Sequence, residues 1–219
     1  MAPVAQRIEH WPPEPGARVR VPSGVVYMCM QVLFMAEILE IRWHGRGGLG
    51  AVTSAELIAR AAISEGKYAQ SFPSFGPERR GAPVIAFLRI SDEFIRTRTP
   101  IDKPDVVVVL DPGLLRTVDV TSGLKNNGKI IINSRKSPFE IRSEFGYRWL
   151  LAAVNATMIA KETIGIPITN TGMIGALLKV TGVVKLDSVV EQLQERFGVR
   201  ARGNIEAMRQ AYKETVIEV

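Results

Sequence analysis

Gly45-Arg46-Gly47-Gly48-Leu49-Gly50 has the spacing G-x-G-x-x-G, between a strand-like apolar stretch (Ile38 to His44) and an alanine- and leucine-rich stretch of helical period (Ala51 to Ser64). In that context glycines let backbone N–H groups close on a ligand, and the positive end of a helix suits a phosphate. Arg46 and His44 would add donors. The same glycines would also serve a tight turn and close helix–sheet packing alone. A nicotinamide dinucleotide further requires an acid about 20 positions on, to hold its ribose hydroxyls. The sequence there is Tyr68-Ala69-Gln70-Ser71, without an acid, which weighs against that cofactor.

A second cluster, Gly76-Pro77-Glu78-Arg79-Arg80-Gly81, lies in a Pro/Gly-rich loop. Arg79 and Arg80 suit bidentate contacts to phosphates or carboxylates, with Glu78 orienting one of them. A solvated charged loop is the plainer alternative. Arg89, Arg96 and Arg98 fall on an expected hairpin, where an exposed polar face accounts for them. Asn170-Thr171-Gly172-Met173-Ile174-Gly175-Ala176 puts an amide and a hydroxyl at the start of a helix, either as caps or as a second polar terminus facing a ligand. No Ser-His-Asp set, nucleophilic cysteine or paired-carboxylate motif is recognisable, so no catalytic residue is assigned. The chain reads as built to bind rather than to catalyse alone.

The elements that must position these groups alternate. Strands are expected at Lys67 to Ser71 and at Val84 to Ile90, the latter paired through a Ser91-Asp92-Glu93 turn with Phe94 to Arg98. Asp105 to Leu110 (DVVVVL) has the continuous β-branched run of a parallel strand covered on both faces. Lys129 to Asn133 and Trp149 to Val154 repeat it, with helical or mixed stretches near 115–125 and 137–145. Helices are expected at Thr157 to Thr163, Met173 to Thr181, Leu186 to Phe197 and Asn204 to Thr215, with Asp187 capping the third and Gly198 stopping it. The fold class is α/β: a doubly wound, Rossmann-like three-layer sheet with a helical C-terminal part.

Composition fits a globular chain of 219 residues, 46% hydrophobic and 23% charged. The single cysteine, Cys29, excludes an intrachain disulfide and a cysteine-bound cluster, and with two histidines no metal site is expected. The formal charge of +6 raises phosphorylated ligands, acidic proteins and nucleic acid. Nucleic acid is the weaker use of this charge, because no stacking aromatics interleave with the basic residues. Residues 1–24 carry five of the thirteen prolines without a helical or strand period and read as disordered. The apolar stretch Val25 to Ala36 is shorter than the roughly 20 residues a membrane helix needs, and the long leader with Glu9 and Glu14 does not fit a signal peptide. Met28, Met30 and Met35 each offer an internal start; a cytoplasmic protein whose residues 1–34 are a disordered or non-native extension, with Met35 the preferred natural start and a single domain over 35–219, is the expectation.

EIRWHGRGGLGAVTSAELIARAA, GKYAQSFPSFGPERRGAPVIAFLRISDEFIR, PDVVVVLD and ITNTGMIGAL, in this order, resemble the gamma-subunit family of pyruvate:ferredoxin (2-oxoacid:acceptor) oxidoreductases from about Glu40 to the C-terminus. The resemblance implies a multi-subunit enzyme, also called pyruvate synthase, converting a 2-oxoacid and coenzyme A to acyl-CoA, carbon dioxide and reduced ferredoxin. It further implies alpha, beta and delta partner subunits, with thiamine diphosphate and 4Fe-4S iron–sulfur clusters held in those partners only. For this chain it implies a coenzyme A-handling and assembly role. Gly45, Arg46, Gly47, Gly48, Gly50, Glu78, Arg79, Arg80, Asn170 and Thr171 are then the positions facing the coenzyme or a neighbouring subunit. Two positions depart from the family: Asn155-Ala156-Thr157 stands where relatives often carry Asp-Ala-Thr, and Leu49 where some carry Gln. A free-standing Rossmann NAD(P) oxidoreductase and a purely structural subunit are the alternatives.

Overall fold

The computed structural model describes residues 38–74 and 81–218. The expectations for residues 1–34, and those for Glu78, Arg79 and Arg80, lie outside the described residues. In chain order the elements are β1 (Leu39–Arg46), α1 (Ala51–Ser64), β2 (Tyr68–Pro73), β3 (Pro83–Ser91), β4 (Val106–Val109), a 3-10 turn (Pro112–Arg116), β5 (Lys129–Asn133), α2 (Pro138–Phe145) and β6 (Leu150–Val154). The helices α3 (Ala156–Thr163), α4 (Asn170–Thr181), α5 (Leu186–Phe197) and α6 (Ala201–Glu214) and the short strand β7 (Val216–Glu218) follow.

The seven strands form one sheet in the order β2-β3-β1-β4-β5-β6-β7. Strands β1, β4, β5 and β6 are parallel, while β3 runs antiparallel to both β1 and β2, and β7 antiparallel to β6. The class is α/β, but the sheet is mixed, and β2 is not beside β1 as a simple doubly wound order requires. The reason lies in β3. It pairs with β1 from Leu39↔Ile90 to Arg46↔Pro83 and with β2 on its other side, so its alternation reflects a place inside the sheet. The expected partner Phe94 to Arg98 forms no strand; of these residues only Ile95 is buried, and the segment runs as irregular chain.

Both faces of the sheet are covered, which is why β4 and β6 are apolar throughout. One face carries Ile41, Trp43, Leu88, Val106, Val108 and Ile131, packed with residues of α1, α4, α5 and α6. The other carries Val107, Val109, Ile130 and Ile132, covered by the 3-10 turn, residues 117–128 and α2. The boundaries of β5 agree with the sequence. Helix α4, however, begins at Asn170, three residues earlier than expected, and α5 is entered through Lys185, so Asp187 sits inside the first turn and is not its cap. Gly198 ends α5 as expected, and β7 was not foreseen. No helix among the described residues is long and apolar enough to cross a membrane.

Candidate functional site

The four parallel strands deliver their carboxyl ends to one edge of the sheet, the place where open α/β sheets form ligand crevices. The glycine loop is the first part of this crest. Gly45 and Arg46 are still paired with β3, while Gly48 (φ 98°) and Gly50 (φ 79°) take left-handed conformations that turn the chain sharply into α1. Gly50 enters α1 with no side-chain cap, and no acid stands in the first turn, so the leading N–H groups keep their donor capacity.

Helix α4 meets this loop. Its N-cap is Thr169, again without a side-chain cap and without an acid in the first turn. The two helix starts are in contact: Ser54 Oγ donates to the Asn170 carbonyl at 3.4 Å, and a Cβ on Gly50 would lie 2.9 Å from Asn170 Nδ2. The helices that follow β5 and β6 are closed by their own residues. Ser137 and Glu140 form a capping box on α2, and the Asn155 side chain accepts from Met158 N on α3. The starts of α1 and α4, which face each other, carry no such side-chain closure.

Arg46 crosses the crest to Asp111, at the end of β4. Its Nε donates to one Asp111 oxygen, and the other oxygen accepts from Gly113 N at 2.9 Å. Arg46 Nη1 donates to the Gly81 carbonyl at 3.2 Å, which leaves Nη2 without a partner among the described residues. The carboxylate thus fixes the guanidinium and offsets its charge, so the positive character of the site rests on N–H groups and helix ends. Main-chain bonds from Gly47 N to Ala82 O (3.0 Å) and from Gly81 N to Gly47 O (3.3 Å) tie the start of β3 to the glycine loop. Between these parts opens a cleft of about 490 Å³ that includes Arg46, Gly47, Asp111, Asn133, Thr157 and Thr169. Asn133 is locked as its wall: Nδ2 donates to Leu110 O and Thr157 Oγ1, and Oδ1 accepts from Thr157 N. Thr169, only 3% exposed, has a hydroxyl with no hydrogen-bond partner among the described residues.

Of the residues singled out in the sequence, the structure gathers the glycines, Arg46 and Asn170 at the crest. Neither Asn170 nor Thr171 caps α4; both lie inside its first turn. Thr171 is wholly buried and donates to Asn204 Oδ1 at 3.3 Å, so its side chain ties α4 to α6 and not to the cleft. Arg89 is not on an exposed face. It is 2% exposed and bonded to Glu40 at 2.8 Å. Asp111, Asn133, Thr157 and Thr169 went unrecognised, although a polar residue directly after a buried β-branched run is the signal that marks the first two. Among the described residues, no group of three or more His, Cys, Asp or Glu side chains is placed to hold a metal.

His44 does not serve as a donor to an anion. It is 3% exposed, and its Nε2 accepts from Arg42 Nε at 3.0 Å. Burial, reinforced by the Arg42 charge, pushes its pKa down to about 3, against about 6.5 in an unfolded chain. Between those values the unfolded chain binds a proton that the folded one refuses. Stability therefore falls as the pH drops from about 6.5 toward 3, by up to about 1.4 kcal/mol per pH unit from this group. His44→Gln keeps an acceptor for Arg42 and should remove that share of the slope in urea unfolding across this range. An unaltered slope would show that His44 is not the group responsible.

The crest defines an α/β protein with a crevice at the carboxyl ends of parallel strands and a glycine loop on a helix N-terminus. Residues 40–214 match the family pyruvate ferredoxin/flavodoxin oxidoreductase. Over 182 residues the chain is 53% identical to the pyruvate/ketoisovalerate oxidoreductases common subunit gamma of Thermococcus litoralis, covering 82% of this chain and 98% of that one. It is 50% identical over 178 residues to the pyruvate synthase subunit PorC of Methanothermobacter thermautotrophicus, covering 81% and 96% respectively. The crystal structure of the pyruvate oxidoreductase subunit PORC of Thermotoga maritima matches with a TM-score of 0.76 at 38% identity, over 84% of this chain and 99% of that one. The chain belongs to the pyruvate ferredoxin/flavodoxin oxidoreductase family. Within it, this is a chain of the gamma type, a subunit of a multi-subunit oxidoreductase.

Proposed function

We propose that this chain holds coenzyme A for a pyruvate (2-oxoacid):ferredoxin oxidoreductase and helps to assemble it with alpha, beta and delta subunits, residues 35–219 acting as one cytoplasmic gamma-type domain. In this reading ferredoxin takes the electrons, and thiamine diphosphate and the iron–sulfur clusters belong to the partner chains. The observation that carries it is the pair of uncapped helix starts, α1 and α4, meeting at one cleft beside Arg46. Each open start supplies N–H donors and roughly half a unit of positive charge. That is the environment a diphosphate requires. The orphaned Thr169 hydroxyl gains a partner when such a group is bound, and Arg46 Nη2 adds a charge-assisted donor. What this chain contributes is binding and orientation of the coenzyme, so that its thiol reaches the reaction centre of the partner chains.

A free-standing nicotinamide enzyme is disfavoured. Strand β2 (YAQSFP) carries no carboxylate, and β3 separates it from β1, which moves the ribose-holding position away from the glycine loop. The test is Arg46→Ala in the assembled complex. A rise of about tenfold in the KM for coenzyme A is expected from loss of one charge-assisted contact, with the KM for the 2-oxoacid unmoved. An unchanged KM for coenzyme A in an intact complex would leave a scaffolding role and overturn the proposal.

A further inference from the structure

Beyond Asn133 the crest opens into a second cavity, of about 510 Å³, which shares Pro112, Asn133 and Thr157 with the first. The two are arms of one groove over the ends of β4, β5 and β6. Their chemistry differs. The second arm has an apolar lining of Leu115, Ile141 and Phe145 and a cationic rim of Arg116, Arg135 and Lys136. Glu144 gathers two of these cations, accepting from Arg116 Nη2 at 2.7 Å and from Lys136 Nζ at 2.5 Å. Arg135 has no side-chain partner among the described residues, and the rim keeps an excess of two positive charges.

Apolar floor and cationic rim together suit a flat aromatic base that carries an anionic group of its own. Of the groups in coenzyme A, only the adenosine end has that character: an adenine and a 3′-phosphate, separated by the ribose from the diphosphate. We infer that the second arm holds this end, Arg135 and Lys136 binding the 3′-phosphate, so that the subunit selects coenzyme A over its 3′-dephosphorylated form. This rests on the coenzyme A reading above. It assigns to Arg116, Arg135 and Lys136 a specificity role that neither the glycine loop nor the open helix ends can fill, since those meet the diphosphate that both ligands share.

The experiment is the KM of the assembled complex for coenzyme A and for 3′-dephospho-coenzyme A, in wild type, Arg135→Ala/Lys136→Ala and Arg46→Ala. Wild type should favour coenzyme A at least tenfold, and the double variant should bring that ratio close to one. Arg46→Ala should raise both KM values and keep the ratio. A wild-type ratio near one, or a ratio unaltered in the double variant, overturns the specificity proposal while leaving the coenzyme A reading intact. Both KM values unmoved by Arg46→Ala would instead overturn that reading. A double variant that no longer assembles would make the rim a subunit contact, which also overturns the proposal; Arg135→Gln alone, which keeps the Lys136–Glu144 pair, separates a lost contact from a disturbed loop.

Discussion

Gly175→Ala should cost on the order of 4 kcal/mol, a large fraction of the roughly 5–15 kcal/mol that holds a domain together. Gly175 lies in the second turn of α4, where that helix crosses α6, and an added Cβ would sit 2.1 Å from the Met208 carbonyl oxygen and 3.0 Å from Tyr212 N. Those neighbours are backbone, so no rotamer change relieves the clash. Either α6 moves away bodily, opening a core that holds Met173, Ile174, Leu177, Ala207 and Met208, or α4 is displaced from the sheet. Urea unfolding of the purified chain measures the loss directly. A cost below about 1 kcal/mol would mean that the two helices are not in close backbone contact. Because α4 also presents Thr169 and Asn170 to the crest, the surviving folded fraction should bind the proposed coenzyme A weakly.

The second large effect falls on binding. Gly50→Val places a β-branched side chain at φ 79°, where left-handed backbone costs roughly 1–2 kcal/mol or more, and directs its Cβ to within 2.9 Å of Asn170 Nδ2. Rotation of the Asn170 amide relieves the nearest contact, but its Cβ at 3.0 Å must also give by a few tenths of an ångström, which shifts the start of α4 against α1, and the cleft depends on their juxtaposition. A hundredfold rise in the KM for coenzyme A is expected, with a melting temperature lowered by several degrees. The two observables must separate in this way. A normal KM would detach the coenzyme from the glycine loop altogether, whereas a variant that fails to fold would be replaced by Gly50→Ala, which makes the same contact without the branched side chain.

Much of this architecture can be read without coordinates, and what escapes does so for identifiable reasons. KIIIN and VVVV announce buried strands because both faces of the sheet are covered, and the pattern of a two-sided core is local. Pairing is not local. The run Val84 to Ile90 looks the same whether it meets a following hairpin partner or inserts between β1 and β2, and the choice is made by all eight paired positions of β1. Glycines 172 and 175 lower helix propensity and conceal the first turn of α4, yet they are there to admit Ala156 and α6. His44 and Arg89 read as surface donors by residue type. Their burial depends on Arg42 and Glu40, whose placement the sheet decides. The glycine loop is legible because its spacing is local in the sequence; the cleft walls Asp111, Asn133 and Thr157 come from three further strand ends and cohere only in three dimensions.

The inversion of β3 bears on how the crest is held together. Because β3 runs opposite to β1 and β2, the connection between β2 and β3 has both feet at the crest. Ser74 N bonds to Ile85 O at 2.8 Å on one side, and Gly81 and Ala82 bond to Gly47 on the other. The anchoring is main chain to main chain and indifferent to side-chain identity. The scaffold around the crest thus stays in place whatever side chains Ser74 and Ala82 are given, because its ties are made by backbone alone.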